Sequence, residues 1–330
     1  MRWKPSTESA LGAVALGLRD RLVGGNAEPE LAADVRMDGQ RVLITGASAG
    51  LGLAIAKRLA RRGATLELAC RSGFPEVGDA VRELHPTGDV AMRFVDLSDL
   101  RSIERLFDRL EGPFDRVVLN AGVVPKSSRR TPQGFELMFA VNYLANAALV
   151  EGLLERGQLI PNVDAPPRVV AVSSESHRSV EPRPAAELGR FVEYGVRGSM
   201  REYSQSKLLL SAWVGAMSRR FSEGGKPSIA FHHTCPGAVA TNIAREAPAL
   251  AKPILDPLMR ALFKSPDDAA AGTERLTAAP DYDGRTNVYL HVLTEKPAAP
   301  AVEDAAYGDT LLAATERLLA LGHPPEGDSR

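Results

Sequence analysis

The sequence predicts an α/β protein with one doubly wound parallel sheet of about seven strands and helices on both faces. From residue 40 onward, short apolar runs alternate with segments of helical periodicity. Continuous apolar runs are typical of strands buried on both faces, as in parallel sheets. The alternation favours parallel pairing, because each parallel strand needs a crossover connection. The chain has no internal repeat and no long linker, so residues 39–330 are assigned to one domain.

Seven segments have the composition of strands, and helical segments lie between most of them. These segments are RVLIT (41–45), TLELAC (65–70), VAMRFV (90–95), RVVL (116–119), RVVAV (168–172), SIAFHHT (228–234) and NVYLH (287–291). After the first of them, Leu51, Ile55 and Leu59 recur every four residues, which indicates a helix. We expect Gly63 to end that helix.

Residues 1–38 are predicted to be an N-terminal extension with an amphipathic helix. Apolar residues recur in one stripe between Leu11 and Leu22, and GGNAEPE then ends the helix. We expect the extension to dock on the main domain or on a partner; a peripheral membrane anchor is the alternative. A signal peptide is not indicated, because Glu8 interrupts the region and no small-residue cleavage site follows.

Composition argues against several functional classes. The formal net charge is −1, so no basic field favours nucleic acid. No apolar stretch is long enough for a membrane span. Cys70 and Cys235 are expected at the ends of different strands, which makes a disulfide improbable and predicts a cytoplasmic protein. His232 and His233 are interpreted as part of a strand rather than as metal ligands.

A glycine-rich turn follows the first strand. The segment TGASAGLG has the spacing GxxxGxG between a strand and a helix. Glycines let the backbone approach phosphate oxygens, and the helix start adds free N–H groups and a positive dipole end. The motif therefore predicts a nucleotide site. The predicted phosphate-binding residues are Gly46, Ser48, Ala49, Gly50, Leu51 and Gly52.

The second strand is followed by Arg71. An acidic residue there would hold the ribose diol of NAD, whereas an arginine pairs with a 2′-phosphate. We therefore predict NADP(H) as the cofactor, preferred over NAD(H). The alternative is that Arg71 merely lies on the surface.

The segment YSQSKLLL places Tyr203 and Lys207 four residues apart, so on a helix both side chains face one space. A phenol titrates near ~10, and a cation beside it lowers that pKa. Such a pair can make a tyrosine a working acid or base. In isolation the same pattern is more often a tyrosine at a helix start and a lysine in solvent.

Together the motifs resemble the short-chain dehydrogenase/reductase superfamily. TGASAGLG, Asp96-Leu97, NAG, VNYLAN, SSES, YSQSK and CPGAVATN occur in its order. GFELMFAVNYLANAALV and FKSPDDAAAGT resemble its branch with the retinol dehydrogenases and the WW-domain oxidoreductase. The resemblance covers about residues 39–292. It implies a Rossmann-type sheet and an oxidoreductase that interconverts an alcohol and an aldehyde or ketone.

The resemblance also implies residue roles. Tyr203 is the implied proton donor or acceptor, and Lys207 bonds the nicotinamide ribose and lowers the Tyr203 pKa. Ser174, rather than Ser173, hydrogen-bonds the substrate oxygen, and Asn142 holds a water that links Lys207 to solvent. The alternative is that the serines cap a turn and Asn142 bonds backbone within its helix. The implied cofactor contacts are Asp96 and Leu97 at adenine, Asn120, Ala121 and Gly122 along the adenosine side, and Pro236, Gly237, Val239 and Thr241 at the nicotinamide.

Two segments, near 177–201 and 243–265, are predicted to shape the pocket for a mostly apolar carbonyl or alcohol. The first contains prolines and glycines and cannot be a single helix. Its arginines either attract an acidic substrate or belong to a solvated loop. The apolar residues of the second either cover an apolar substrate or pack on the core.

A homodimer or homotetramer is expected through the helices that begin near Asn142 and Tyr203. The second helix carries more apolar surface than one buried stripe needs; the alternative is that the N-terminal extension covers this surface.

Two other functions remain open: a regulator that senses NADP(H) without turnover, and a sugar-nucleotide epimerase or dehydratase on a related fold. The complete set of four catalytic residue types argues against the first, and the glycine spacing against the second.

Overall fold

The computed structural model describes residues 30–85, 87, 89–237 and 264–324. The amphipathic helix expected near the N-terminus lies outside the described residues. So do Val239, Thr241 and nearly all of the predicted pocket segment 243–265.

Eight strands of the described chain form one sheet, in the order β10-β9-β8-β5-β4-β1-β2-β3. All neighbours are parallel except β9 and β10, and β6 pairs with β7 in a separate hairpin. The strands are β1 (Arg41–Thr45), β2 (Thr65–Cys70), β3 (Val90–Phe94), β4 (Arg116–Leu119), β5 (Arg168–Val172), β6 (Ser222–Glu223), β7 (Lys226–Pro227), β8 (Ala230–Cys235), β9 (Tyr289–His291) and β10 (Thr294–Glu295). The predicted fold class is confirmed.

The helices cover both faces of this sheet. They are α1 (Gly50–Arg61), α2 (Glu76–Arg82), α3 (Leu100–Phe107), α4 (Leu137–Glu155), α5 (Val196–Arg220), α6 (Pro266–Ala278), α7 (Pro300–Glu303) and α8 (Ala305–Leu321). Alternate residues of β1 face opposite cores, as the pleat of a strand requires. Leu43 packs in the core with α3, α4, α5 and α8, whereas Val42 and Ile44 pack in the core with α1 and α2.

All seven predicted strands are present, four of them with the predicted bounds. The strand at Val90 ends one residue earlier than expected, the sixth runs from Ala230 to Cys235, and the seventh begins at Tyr289. His232 and His233 lie in β8, as interpreted. Strand β10 was not predicted, because a two-residue edge strand has no apolar run.

Charged side chains join α1 to α6 and to the start of the described chain. Glu274 is almost fully buried and accepts bonds from Arg58 at 2.8 Å and Arg62 at 2.6 Å. Arg62 also donates to the carbonyl oxygens of Ala32 at 2.9 Å and Val35 at 2.8 Å. Residues immediately before the sheet are therefore fixed on the main domain.

The outer surface of α5 is covered by the C-terminal helices of the same chain. Leu311 and Leu318 of α8 pack in one core with Trp213 and Met217 of α5. At Gly215, an added Cβ would lie 2.3 Å from the carbonyl oxygen of Val302, so α7 touches the α5 backbone. The apolar residues on which the oligomer prediction depended, Leu208, Leu209, Leu210, Trp213, Val214 and Met217, are at most 3% exposed. That surface is therefore not free for a second copy, which corrects the reasoning behind the predicted dimer.

Two further expectations concern α4 and the cysteines. Among the described residues, α4 is the one helix long and apolar enough to span a membrane, and most of it is buried inside the protein. It is a core helix that packs against the sheet.

Cys70 and Cys235 are both buried and unpaired, at the ends of β2 and β8. The cytoplasmic location stays a prediction.

Candidate active site

The carboxyl ends of six neighbouring strands meet at one edge of the sheet, and the predicted site residues follow them. Strands β3, β2 and β1 lead to the predicted adenosine and phosphate contacts. Strands β4, β5 and β8 lead to the predicted catalytic and nicotinamide contacts. The chain order reverses between β1 and β4, and doubly wound sheets bind their ligands at that point.

The turn after β1 has no room for a side chain at Gly46 or Gly52. An added Cβ on Gly52 would lie 2.3 Å from the carbonyl oxygen of Gly46 and 2.4 Å from Nδ2 of Asn120. Gly46 itself has φ of 69°, in the left-handed region that favours glycine. Helix α1 follows with no side-chain cap on Ala49 and no acidic residue in its first turn. Its N–H groups are thus directed into the space beside the turn, as in anion sites.

Asn120 and Thr45 hold this turn in place. Asn120 Nδ2 donates to the carbonyl oxygens of Thr45 at 2.9 Å and Gly46 at 3.2 Å. The buried Thr45 hydroxyl accepts the backbone N–H groups of Asn120 at 3.0 Å and Ala121 at 3.2 Å. The Asn120 side chain therefore ties the ends of β1 and β4 together.

Two predicted adenosine contacts lie at the ends of β2 and β3. Arg71 is exposed, and no ion pair joins it to another residue in the described ranges. Asp96 Oδ1 accepts the backbone N–H of Ser98 at 2.9 Å and its hydroxyl at 2.7 Å. The Leu97 side chain belongs to the core, which leaves its backbone for any adenine contact.

Asn142 lies in a π-helical turn, Ala140–Leu144, inside α4. Such turns are rare and are frequent at functional sites. Its side chain accepts the backbone N–H of Val123 at 2.8 Å and donates to the carbonyl oxygen of Val123 at 3.0 Å and to the Ser206 hydroxyl at 3.0 Å. Asn142 thus joins α4, α5 and the segment after β4. The alternative, in which the Asn142 side chain bonds backbone within its own helix, is wrong.

The two serines after β5 have different surroundings. Ser173 is buried, and its hydroxyl bonds Ser211 Oγ at 2.7 Å and the carbonyl oxygen of Lys207 at 3.3 Å. Ser174 is partly exposed, and its hydroxyl accepts the backbone N–H of Ser176 at 3.3 Å, as in the turn-capping alternative; it also lies close enough to Tyr203 to lower the pKa of that phenol. Of the two, Ser174 is therefore the serine whose hydroxyl lies beside the tyrosine.

Tyr203 and Lys207 share one face of α5, as their spacing predicts. Lys207 Nζ lies 5.8 Å from the centre of the Tyr203 ring and donates to the carbonyl oxygen of Val172 at 2.7 Å. An added Cβ on Gly122 would lie 3.6 Å from Nζ, so the NAG segment borders the same space. The helix begins at Val196, seven residues before Tyr203, and not near Tyr203 as expected.

Burial dominates the titration of this pair in the protein chain. Burial raises the pKa of Tyr203 to about 12, with the nearby Cys235 adding to the effect and the neighbouring Ser174 hydroxyl opposing it. Burial also lowers the pKa of Lys207 to about 8. In the chain alone, burial therefore outweighs any lowering of the Tyr203 pKa by Lys207, because both charged forms lose their hydration; the lowering expected of Lys207 stays a prediction.

The segment between Ser174 and α5 is irregular, as predicted. It contains short 3-10 turns at Glu175–Arg178 and Ala185–Glu187. Arg178 pairs with Glu175 at 3.2 Å and Arg183 pairs with Glu202 at 2.5 Å, so these arginines have partners within the chain. After β8, Pro236 is buried and Gly237 has φ of 80°.

Comparison with known proteins agrees with this geometry. A solved structure of an uncharacterized protein from Mycobacterium paratuberculosis is 28% identical, covers 90% of this chain and 100% of its own, and has a TM-score of 0.67. Human retinol dehydrogenase 13 is 30% identical over 329 residues, or 96% of this chain and 95% of that protein. Human WW domain-containing oxidoreductase is 30% identical over 315 residues, or 91% of this chain and 73% of that protein. The short chain dehydrogenase family model matches residues 40–184.

The chain belongs to the short-chain dehydrogenase family. The predicted resemblance, including its retinol dehydrogenase and WW-domain oxidoreductase branch, is confirmed. As a short-chain dehydrogenase, the protein is an oxidoreductase that uses NAD(P)(H). The tightly packed glycine turn, the uncapped start of α1 and the reversal of chain order fit such a dinucleotide.

Sequence reasoning missed several residues that build this short-chain dehydrogenase site. Thr45 was noted only as the end of the first strand and the start of TGASAGLG, and its bonds across the sheet to Asn120 and Ala121 were not expected. His177 and Tyr289 were not singled out either. His177 follows Ser174 by three residues, and Tyr289 lies in the strand next to β8. Their contacts become visible only when the chain is folded.

Proposed function

We propose that this short-chain dehydrogenase interconverts an alcohol and an aldehyde or ketone with NADP(H), and that Tyr203 transfers the proton. The observation that carries the proposal is that Tyr203, Lys207 and Ser174 meet at the sheet edge that also holds the glycine turn, with Lys207 Nζ 5.8 Å from the centre of the Tyr203 ring. Carbonyl reduction needs a positioned proton donor and a stabilised oxyanion. Tyr203 and Ser174 supply both at one place.

When bound, the nicotinamide supplies or accepts the hydride, which no side chain can do. With a raised pKa, Tyr203 is protonated at neutral pH and is suited to donate a proton to a carbonyl oxygen. The Ser174 hydroxyl is positioned to donate a hydrogen bond to the same oxygen. Lys207, with a pKa of about 8, is mostly an ammonium at pH 7 and favours negative charge on Tyr203 once its proton has left.

Arg71 supports a preference for NADPH over NADH. The residue follows β2, where the adenosine ribose lies in doubly wound dinucleotide folds. Its guanidinium is exposed and has no partner among the described side chains, so it is available to a 2′-phosphate. Charge-assisted bonds to a guanidinium are among the stronger hydrogen bonds in proteins.

Apolar side chains near the catalytic residues support a mostly apolar substrate. Val196 and Met200 are one turn apart on α5 and lead along the helix toward Tyr203. Val196 is 72% exposed and Val124, after the NAG segment, is 50% exposed. Ser199 Oγ donates to the carbonyl oxygen of Pro125 at 2.7 Å, which places the start of α5 beside that segment.

The test is NADPH consumption by the purified protein against a panel of aldehydes and ketones, apolar and acidic ones included. The proposal expects turnover, with apolar members preferred. A protein that binds NADPH tightly yet turns over no member would instead be the non-catalytic sensor. Preference for acidic members would assign a role in substrate binding to the arginines between residues 177 and 201.

A further inference from the structure

A fully buried histidine lies three residues after Ser174, and no step of the proposed reaction uses it. The Nδ1 atom of His177 lies 2.6 Å from the carbonyl oxygen of Ser174, and its backbone N–H donates to the same oxygen at 3.0 Å. Its Nε2 atom accepts the backbone N–H of Ala299 at 3.2 Å. Both ring nitrogens are thus engaged, one by the site and one by the segment that leads into α7.

These two partners fix the tautomer of the ring. A carbonyl oxygen only accepts, so Nδ1 carries the proton, and a backbone N–H only donates, so Nε2 carries the lone pair. Burial lowers the His177 pKa, in agreement with a neutral ring. Protonation of Nε2 would set two donors against each other. The neutral Nδ1–H form is therefore the one that the surroundings select.

Aromatic packing holds the ring in position. The Tyr289 ring meets His177 edge-on, with centroids 5.1 Å apart and planes at 81°. The Tyr289 hydroxyl donates to Glu175 Oε2 at 2.6 Å, and Arg178 Nε lies 3.2 Å from Glu175 Oε1. The residues that follow Ser174 are therefore fixed by contacts from β9 and from their own turn.

We propose that His177 is a positioning residue for Ser174, a role that depends on the proposed function of that serine. Ser174 has extended backbone, with φ of −155° and ψ of 146°, at the start of a 3-10 turn. Two donors on its carbonyl oxygen hold ψ, and with it the direction of the turn relative to the end of β5. His177 thereby keeps the Ser174 side chain beside Tyr203 and within reach of the substrate oxygen.

Two substitutions separate the two bonds of the ring. In His177→Asn, an amide nitrogen takes the place of Nδ1 and keeps the bond to Ser174, while the acceptor for Ala299 is lost. In His177→Gln, an amide oxygen near Nε2 keeps the Ala299 acceptor, while the donor to Ser174 is lost. Loss of one hydrogen bond corresponds to about a tenfold change at most. We expect kcat to fall about tenfold in H177Q and less than about threefold in H177N, with unchanged KM and NADPH affinity.

A double-mutant cycle decides whether the effect passes through Ser174. In a Ser174→Ala background, H177Q should cause no further loss of kcat, because the hydroxyl to be positioned is absent. Additive losses, or equal losses in H177N and H177Q that follow their melting temperatures, would overturn the proposal. His177→Leu, which fills the space without a donor, replaces H177Q in the cycle if H177Q does not fold.

Tyr203→Phe in the same experiment separates this inference from the proposed function. If Y203F is inactive and H177Q retains wild-type kcat, only the role of His177 is wrong. If Y203F is fully active, the proposed function itself is wrong.

Discussion

Lys207 Nζ donates to the carbonyl oxygen of Val172 at 2.7 Å, so the ammonium of α5 is held at the end of β5. The carbonyl oxygen gives a buried lysine one fixed partner but no full counter-charge. Burial therefore lowers the Lys207 pKa to about 8, within reach of an ordinary pH titration. This bond places the charge beside Tyr203 before any cofactor binds.

The pH dependence of catalysis follows from that pKa. Below about pH 7 Lys207 is charged, and above its pKa it is neutral, so kcat/KM for carbonyl reduction should fall as pH rises through about 8. Steady-state rates measured from about pH 6 to about pH 10 test this fall in kcat/KM. Lys207→Met, which has no charge to lose, should be poorly active throughout. A wild-type profile that stays flat across the whole range would contradict the assignment.

Arg71 should decide the choice between NADPH and NADH. Hydrogen bonds to charged groups contribute about 1.5–3 kcal/mol, so wild type should bind NADPH about tenfold to a hundredfold more tightly. Arg71→Asp should invert that ratio, because a carboxylate repels the 2′-phosphate and accepts bonds from the ribose hydroxyls. Titration of both cofactors by fluorescence or calorimetry measures it.

Arg109→Asp is the matched control for that experiment. Arg109 is also exposed but follows α3, away from the sheet edge that carries the site. It should leave the cofactor ratio unchanged. Equal affinities of wild type for both cofactors would show that Arg71 lies outside the site.

Gly52→Ala should abolish cofactor binding. The added Cβ would meet the Gly46 carbonyl oxygen at 2.3 Å, and that atom belongs to the backbone and has no room to move. The turn has to open, which displaces the N–H groups of α1. Gly195→Ala is the control, since a Cβ there meets nothing within 4 Å. Calorimetry with NADPH should detect binding in the Gly195 variant only, and tight binding by Gly52→Ala would refute the phosphate-binding turn.

Trp213→Ala should destabilise the chain and leave its oligomeric state unchanged. Trp213 is 1% exposed and packs under α8, so its truncation leaves a cavity inside the chain's own core. Such truncations cost about 3–5 kcal/mol of unfolding free energy. Denaturant unfolding measures the loss, and light scattering measures the mass. A halved mass with unchanged stability would mean that α5 faces a second copy after all.

Seven strands could be predicted, because buried parallel strands are continuous apolar runs. Their order across the sheet was not predicted, because an apolar run does not show which strands are its neighbours. The start of α5 could not be predicted, because VRGSM contains a glycine and a β-branched residue. Neither residue type favours the beginning of a helix. The sequence also did not show that α7 and α8 of the same chain cover α5. An apolar surplus at Leu208 or Trp213 has the same pattern whether a second copy or a distant helix covers it.

The proximity of the candidate catalytic side chains could be predicted, but their electrostatics could not. The spacing of Tyr203 and Lys207 shows that they are neighbours and says nothing of how deeply each is buried. Burial controls both pKa values. The bond from the Ala299 N–H to His177 joins residues that are far apart in sequence, so no local pattern reveals it.

The central claim is that the Tyr203 hydroxyl transfers the proton, and Tyr203→Phe removes that hydroxyl while keeping the ring. The measurement is kcat with NADPH and the best carbonyl of the panel, beside NADPH affinity by fluorescence. Loss of a positioned acid lowers rates by about 10²–10⁴. The account predicts a kcat lowered by that order with NADPH affinity unchanged. A Y203F variant with near wild-type kcat would contradict it.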